Sequence, residues 1–225
     1  MQRCLNLAKL GLGYTYTNPL VGSVIVHENA IIGEGYHQKQ GEPHAEVNAI
    51  NSVSDKTLLA QSTIYINLEP CTHFGKTPPC ADLIIKHQFK RAVICNHDPF
   101  DKVDGRGIER LKKAGIDVTV GVLEPEGKAL NKRFFTFHEN HRPYVILKWA
   151  QTRDGFLDYK RVPGDGKSAL KVTNALSSKL VHKWRSEEQS IMVGKNTAQL
   201  DNPSLNVRNW MGNRPIRIVL DAKGE

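Results

Sequence analysis

The sequence has no apolar run approaching the roughly 18 residues that a membrane-spanning helix requires. Its opening stretch, Met1-Gln2-Arg3-Cys4-Leu5-Asn6-Leu7-Ala8-Lys9, alternates polar and apolar groups and lacks the continuous apolar segment of a signal peptide. A cytoplasmic protein with no membrane contact is therefore the expectation. Only four cysteines occur in 225 residues, too few for a disulfide scaffold. In a reducing compartment, closely spaced cysteines point instead to metal binding or catalysis. Aromatic residues make up just 7%, and there is no block of five consecutive Lys or Arg, which disfavours a nucleic-acid-binding tail. Internal repeats and low-complexity tracts are also missing.

What is present fits a globular protein with an anionic ligand. With glycine counted in place of tyrosine, the apolar share is about 45%, within reach of ordinary globular domains. The 31 basic and 23 acidic side chains leave a net charge of +8 spread along the whole chain, which suits phosphates, nucleic acid or merely solubility. From residue 1 to about 123 short strands alternate with helices, the signature of an α/β sheet covered by helices. The pattern predicts a helix over 2–11, a hairpin of 21–26 and 30–35, a helix over 45–53 and a strand over 62–68. A helix opened by Pro78-Pro79 over 80–87, a strand over 91–95, a helix over 107–114 and a strand over 116–120 follow. A single helix is expected from about Pro125 to Asn140. His141-Arg142-Pro143 then interrupts the pattern, which places a domain boundary near 142 and a new strand at Tyr144–Lys148. A polar loop over 154–168, a helix over 174–186 and strands at 190–193 and 216–220 complete the reading.

The chemistry concentrates in Pro43-His44-Ala45-Glu46-Val47, Pro70-Cys71 and Pro79-Cys80. One imidazole and two thiolates, His44, Cys71 and Cys80, make a common inner shell for catalytic zinc with one open position. Such a metal lowers the pKa of a water in that position toward neutrality. Glu46, two residues from His44, is placed as the general base. His-x-Glu followed by Pro-Cys is the pattern of zinc nucleobase deaminases, whose closing pair is usually Cys-x-x-Cys. Here eight residues separate Cys71 from Cys80, and His73, Lys76 and Thr77 among them can hold a phosphate or a sugar hydroxyl. A zinc site used only for folding normally has four protein ligands, with His73 the nearest fourth. A deaminase acting on a flipped nucleic-acid base is the alternative enzyme, but it predicts the short cysteine spacing and a basic groove with stacking aromatics. Cys4 and Cys95 read as small core residues.

The segments Thr17-Asn18-Pro19-Leu20-Val21-Gly22, Gly35-Tyr36-His37, Gly41–Glu46 and Leu68–Cys80 together resemble the deaminase half of the bifunctional deaminase–reductase of riboflavin biosynthesis. Leu147-Lys148, Asp154-Gly155, Arg185 and Thr197 through Arg208 resemble its reductase half. The resemblance implies a three-layer α/β/α cytidine-deaminase-like domain over 1–142. Part of a dihydrofolate-reductase-like α/β domain would follow over 143–225. It implies deamination of 2,5-diamino-6-ribosylamino-4-pyrimidinone 5′-phosphate with zinc at His44, Cys71 and Cys80 and with Glu46 carrying protons. Asn18 and His37 would contact base or ribose; His73, Lys76 and Thr77 would contact phosphate or ribose. In the second half, Ala150, Thr197 and Asp201 would lie along NADPH. Lys148, Arg185, Leu205 and Arg208 would hold the substrate, the two arginines through phosphate. The family tends to associate, so a homo-oligomer is expected.

Two departures stand out. The family's Asp-Pro-Asn-Pro loop reads Asp98-Pro99-Phe100-Asp101 here, and its Ser-x-Trp pattern before Thr173 is replaced by Ala169 and Lys171. The family's second domain also continues well past residue 225, so this reading expects an incomplete reductase half and no reductase turnover from the chain.

Overall fold

Near-continuous apolar runs along the central strands, buried on both faces, dictate the architecture. The computed structural model describes residues 1–74, 78–101, 103–162, 164 and 166–224. It divides into two units, Met1–Tyr144 and Val145–Glu225.

In the first unit, α1 (Gln2–Ala8) runs into a 3-10 turn at Lys9–Gly11. β1 (Gly22–His27) and β2 (Ala30–Tyr36) pair antiparallel through Glu28 and Asn29. Both turn residues have positive φ, 46° and 64°, the mirror-type turn whose twist matches that of a hairpin. α2 (Ala45–Ser52), β3 (Thr63–Leu68), α3 (Cys80–Lys86), β4 (Arg91–Asn96), α4 (Arg106–Lys113) and β5 (Asp117–Val120) follow in turn. The five strands lie in the order β2-β1-β3-β4-β5. β1 is antiparallel to β2 and β3, whereas β3, β4 and β5 are parallel.

One face carries Ile25, Ile64, Ile66, Ala92 and Ile94, packed with Ala49 and Ile50 of α2, Ile84 of α3, and Ile108 and Leu111 of α4. The other face carries Val24 against Cys4 and Leu7 of α1, with Tyr65 alongside. Helices therefore cover both faces, as a sheet of apolar parallel strands requires, and the unit is the three-layer α/β/α domain expected. α5 (Glu124–Leu130) approaches the sheet through Gly127. A Cβ there would lie 1.9 Å from Asn96 Oδ1 and 2.4 Å from Cys95 Sγ, so no side chain fits.

The single helix expected over 125–140 is two, α5 and α6 (Lys132–Asn140), broken at Asn131. The cause is a pair of buried hydrogen bonds. The Leu20 amide donates to Asn131 Oδ1 (2.8 Å), and Asn131 Nδ2 donates to the Leu20 carbonyl (2.9 Å).

The second unit contains α7 (Ala175–Glu187), β6 (Ser190–Gly194), α8 (Lys195–Asp201) and β7 (Ile216–Leu220). Asn174 caps α7 by accepting from the Ser177 amide at 2.9 Å. β6 and β7 pair in parallel. The strand expected at 144–148 does not form, and no strand of the described residues pairs with it. β-Propensity alone does not make a strand; a partner must take up its backbone groups. Val145, Ile146 and Leu147 are exposed instead. Among the described residues no helix is long and apolar enough to cross a membrane.

Candidate metal centre and active site

Three donors meet where the chain leaves β3 and enters α2 and α3. His44 is the N-cap of α2, Cys71 follows β3 by three residues, and Cys80 is the first residue of α3. His44 Nδ1 lies 3.6 Å from Cys71 Sγ and 3.3 Å from Cys80 Sγ. All three donor atoms fall within 4.8 Å of one another. Tetrahedral zinc with bonds of about 2.3 Å to sulfur and 2.0 Å to nitrogen would set sulfur and nitrogen about 3.5 Å apart. The donor set thus fits zinc in identity and in spacing. The Cys80 amide also donates to Cys71 Sγ (3.3 Å), and the Ala81 amide to the Cys71 carbonyl (3.1 Å), which fixes the two cysteines to each other. The Cys71 thiol is held down to about 4, first by its hydrogen bond with Cys80, and Cys80 is pushed up by that same contact and by burial. The hydrogen bond with Cys71 also raises the His44 pKa to about 9, and a dication that binds these donors displaces their protons.

Glu46 lies in the first turn of α2, 3% exposed. Burial pushes its carboxyl pKa up, which makes it a ready proton carrier beside the metal donors. Asn18 and His37 stand together: the rings of His37 and His44 are 5.5 Å apart, edge to face. His37 Nδ1–H donates to the Pro43 carbonyl (3.2 Å), which leaves Nε2 to accept from Asn18 Nδ2 at 3.0 Å. Burial lowers the His37 pKa, so the ring is neutral and its tautomer is set by these two partners.

Three supporting residues were not singled out from sequence. Asn67 Oδ1 accepts from the Gly22 amide (2.6 Å) and its Nδ2 donates to the Leu20 carbonyl (2.9 Å). With Asn131 it clamps the backbone that follows Asn18. Glu69, two residues before Cys71, accepts four backbone amides: Asp98 (3.2 Å), Gly105 (3.1 Å), Gly107 (2.9 Å) and Ile108 (3.1 Å). It ties the end of β3 to the loop that leads into α4.

His73 follows the donor Cys71 by two residues, its ring 5.9 Å from Phe100, and Phe100 in turn packs on His138 at 5.1 Å. The residue that replaces the family's asparagine is thus the middle of an aromatic stack. Lys76 and Thr77 lie outside the described residues.

In the second unit, Arg185 of α7 donates to the Asn206 carbonyl (3.2 Å) and Arg208 to Asn206 Oδ1 (3.2 Å), so two of the expected substrate residues converge. Burial and the neighbouring Arg208 lower the Arg185 pKa. Leu205 is buried with φ of 48°. Asp201 ends α8 and pairs with Arg161 at 2.6 Å. Thr197 is an exposed residue of α8, and Lys148 and Ala150 lie in the stretch without regular structure after Pro143.

Comparison with known proteins finds two matching families. Residues 1–96 match the cytidine and deoxycytidylate deaminase zinc-binding region, and residues 143–225 match the RibD C-terminal domain. Fold and site thus define a zinc deaminase domain of the cytidine-deaminase class, followed by part of a domain of the dihydrofolate-reductase-like class. Over its whole length the chain is similar to RibD riboflavin biosynthesis proteins. It is 46% identical to RibD of Aquifex aeolicus over 226 residues, covering 100% of this chain and 62% of that protein. A Thermotoga maritima diaminohydroxyphosphoribosylaminopyrimidine deaminase/5-amino-6-(5-phosphoribosylamino)uracil reductase superposes with a TM-score of 0.86 at 44% identity, covering 100% of this chain and 62% of that one. Acinetobacter baumannii RibD gives 0.89 at 37% identity, covering 99% and 62%. The chain spans about six tenths of the length of the relatives it matches.

Proposed function

We propose that the first unit is a zinc-dependent hydrolase that deaminates 2,5-diamino-6-ribosylamino-4-pyrimidinone 5′-phosphate, exchanging a ring amino group for oxygen and releasing ammonia. The observation that carries this reading is the meeting of His44 Nδ1, Cys71 Sγ and Cys80 Sγ within 4.8 Å, with buried Glu46 beside them. Zinc held by these donors supplies a Lewis acid and a water that ionises near neutral pH. Glu46 takes up one proton from the attacking water and passes it to the ring nitrogen, then takes a second from the newly added hydroxyl and passes it to the departing amine. Its burial favours the protonated form and so supports the second half of that cycle. Neutral His37 and Asn18 orient the base or ribose. His73, Lys76 and Thr77 would contact the ribose or phosphate.

We assign the deaminase to residues 1–142 and a reductase portion to 143–225. There Ala150, Thr197 and Asp201 would line NADPH, while Lys148, Arg185, Leu205 and Arg208 would hold the ribosyl substrate. The convergence of Arg185 and Arg208 on Asn206 supports an anion site in that portion. A cytoplasmic homo-oligomer without nucleic-acid partners completes the proposal.

The test is ammonia release from this substrate by the zinc-loaded protein beside Glu46→Gln. The variant is expected to keep its zinc and lose activity by roughly 10²–10⁴-fold, the usual contribution of a general acid–base. No release from the wild type sinks the reading, and equal release from both removes Glu46 from its role.

A further inference from the structure

A cavity of about 430 Å³ is lined by Thr72 and His73, which directly follow the metal donor Cys71, and by Arg106 and Arg110. Neither arginine belongs to a motif considered so far. We propose that Arg106, with Thr72 and His73, seats the phosphate of the substrate and so sets the preference for a phosphorylated over an unphosphorylated pyrimidine riboside. The inference rests on the deaminase reading and names the subsite that reading leaves open on the described residues.

Arg106 is the first residue of α4, and its backbone is held unusually firmly. The amides on either side of it, Gly105 and Gly107, both donate to the Glu69 carboxylate, at 3.1 Å and 2.9 Å. Its own amide donates to the Val103 carbonyl at 2.7 Å. Gly107 sits so close to the strand end that a Cβ would lie 2.3 Å from the Pro70 carbonyl oxygen. Pro70 precedes the metal donor Cys71, and Thr72 and His73 follow it. The same backbone contact therefore fixes Arg106 relative to the metal donors and brings it to the wall that Thr72 and His73 form.

Charge is arranged to match. Glu69 is saturated by four amide donors, so it occupies the amino end of α4 rather than Arg106. Arg106 makes no ion pair among the described residues. Arg110, one turn further along α4, pairs with Asp82 Oδ1 at 2.7 Å, which holds it at the cavity and offsets its charge. What remains is a single uncompensated guanidinium beside a hydroxyl and an imidazole. That set suits one dianionic phosphate monoester, since a guanidinium fork matches two phosphate oxygens. A polyanion would need a row of such cations.

Two measurements on the zinc-loaded protein test this. The first compares the phosphorylated substrate with its dephosphorylated riboside in wild type, Arg106→Ala and Arg106→Lys. Arg106→Ala is expected to lower kcat/KM for the phosphorylated substrate by on the order of 10–100-fold, chiefly through KM, consistent with loss of a charged hydrogen bond. The riboside should change by less than about twofold, and Arg106→Lys should recover part of the loss as a point charge without the fork. Equal losses on both substrates overturn the proposal. The second follows inorganic phosphate binding by ³¹P nuclear magnetic resonance and needs no turnover. Binding in the wild type, weakened at least about tenfold in Arg106→Ala, supports the seat. No binding, or identical binding in both proteins, overturns it. Phosphate binding without ammonia release would sink the deaminase reading while leaving the seat standing. Zinc content is measured throughout, and if Arg106→Ala loses zinc, Arg106→Lys carries the comparison.

Discussion

The two units carry similar apolar strand sequences and treat them differently. In the first, Ile64, Ile66, Ile94 and Cys95 of β3 and β4 are fully buried between two layers of helix. In the second, β6 and β7 leave Met192, Ile216 and Leu220 at 58%, 68% and 66% exposure. Parallel strands are normally covered on both faces. Chemistry follows the same divide. Cys71 and Asp98 extend from the carboxyl ends of buried strands, the usual place for a site in an α/β sheet. Arg185 and Arg208 are held only through Asn206 and the backbone around it. A site is as rigid as the layer beneath it, and the first unit supplies that layer from its own residues.

Hydrogen exchange should expose this contrast most strongly. Amides of β3 and β4 are expected to exchange at least about 10³-fold more slowly than those of β6 and β7, because they open only with the whole unit. Equal protection would break the comparison. Next in size, Cys71→Ser should cost most of the bound zinc, measured by atomic absorption, and abolish ammonia release. Exchange in β6 and β7 should not change. Asn131→Ala leaves the Leu20 amide unpaired and its carbonyl with Asn67 as the remaining partner, and should destabilise the first unit by about 1–3 kcal/mol in urea titrations. Because Asn131 acts through the segment that carries Asn18, its effect on KM should largely vanish in an Asn18→Ala background; full additivity would reduce Asn131 to a stability role.

The smallest effect concerns pH. Burial, then the nearby Glu69 and Cys71, push the Asp98 carboxyl up to about 7. The folded state holds this proton more tightly than the unfolded state, where an Asp titrates near 3.9. Its contribution therefore erodes stability as pH rises from about 4 to about 7 and is flat above that. Asp98→Asn should flatten that part of the curve of Tm against pH.

The deaminase site was legible in sequence wherever its determinants are local. His44-x-Glu46 and Pro70-Cys71 are short motifs, and the short apolar runs of β1, β3 and β4, spaced between helices, located the sheet. What escaped depends on distant partners. Asn131 breaks a continuous helical pattern because its partner is Leu20, and nothing between Glu124 and Asn140 announces that. Glu69 was visible inside the motif, but the amides it collects come from a loop that only folding brings near. Phe100 was noticed as a departure, yet its contacts with His73 and His138 join segments far apart in the chain. The apolar run at 144–148 has strand composition and finds no partner among the described strands. Lys76 and Thr77 lie outside what the structure describes.

The bond between Leu20 and Asn131 spans 111 residues, whereas the metal donors all fall between 44 and 80. During synthesis the three donors emerge and can gather long before Asn131 leaves the ribosome. Contacts of such long sequence separation are also the slow ones to close. A nascent chain is therefore able to capture zinc well before the arm that carries Asn18 can lock. Metal acquisition would then precede substrate recognition in the life of each molecule.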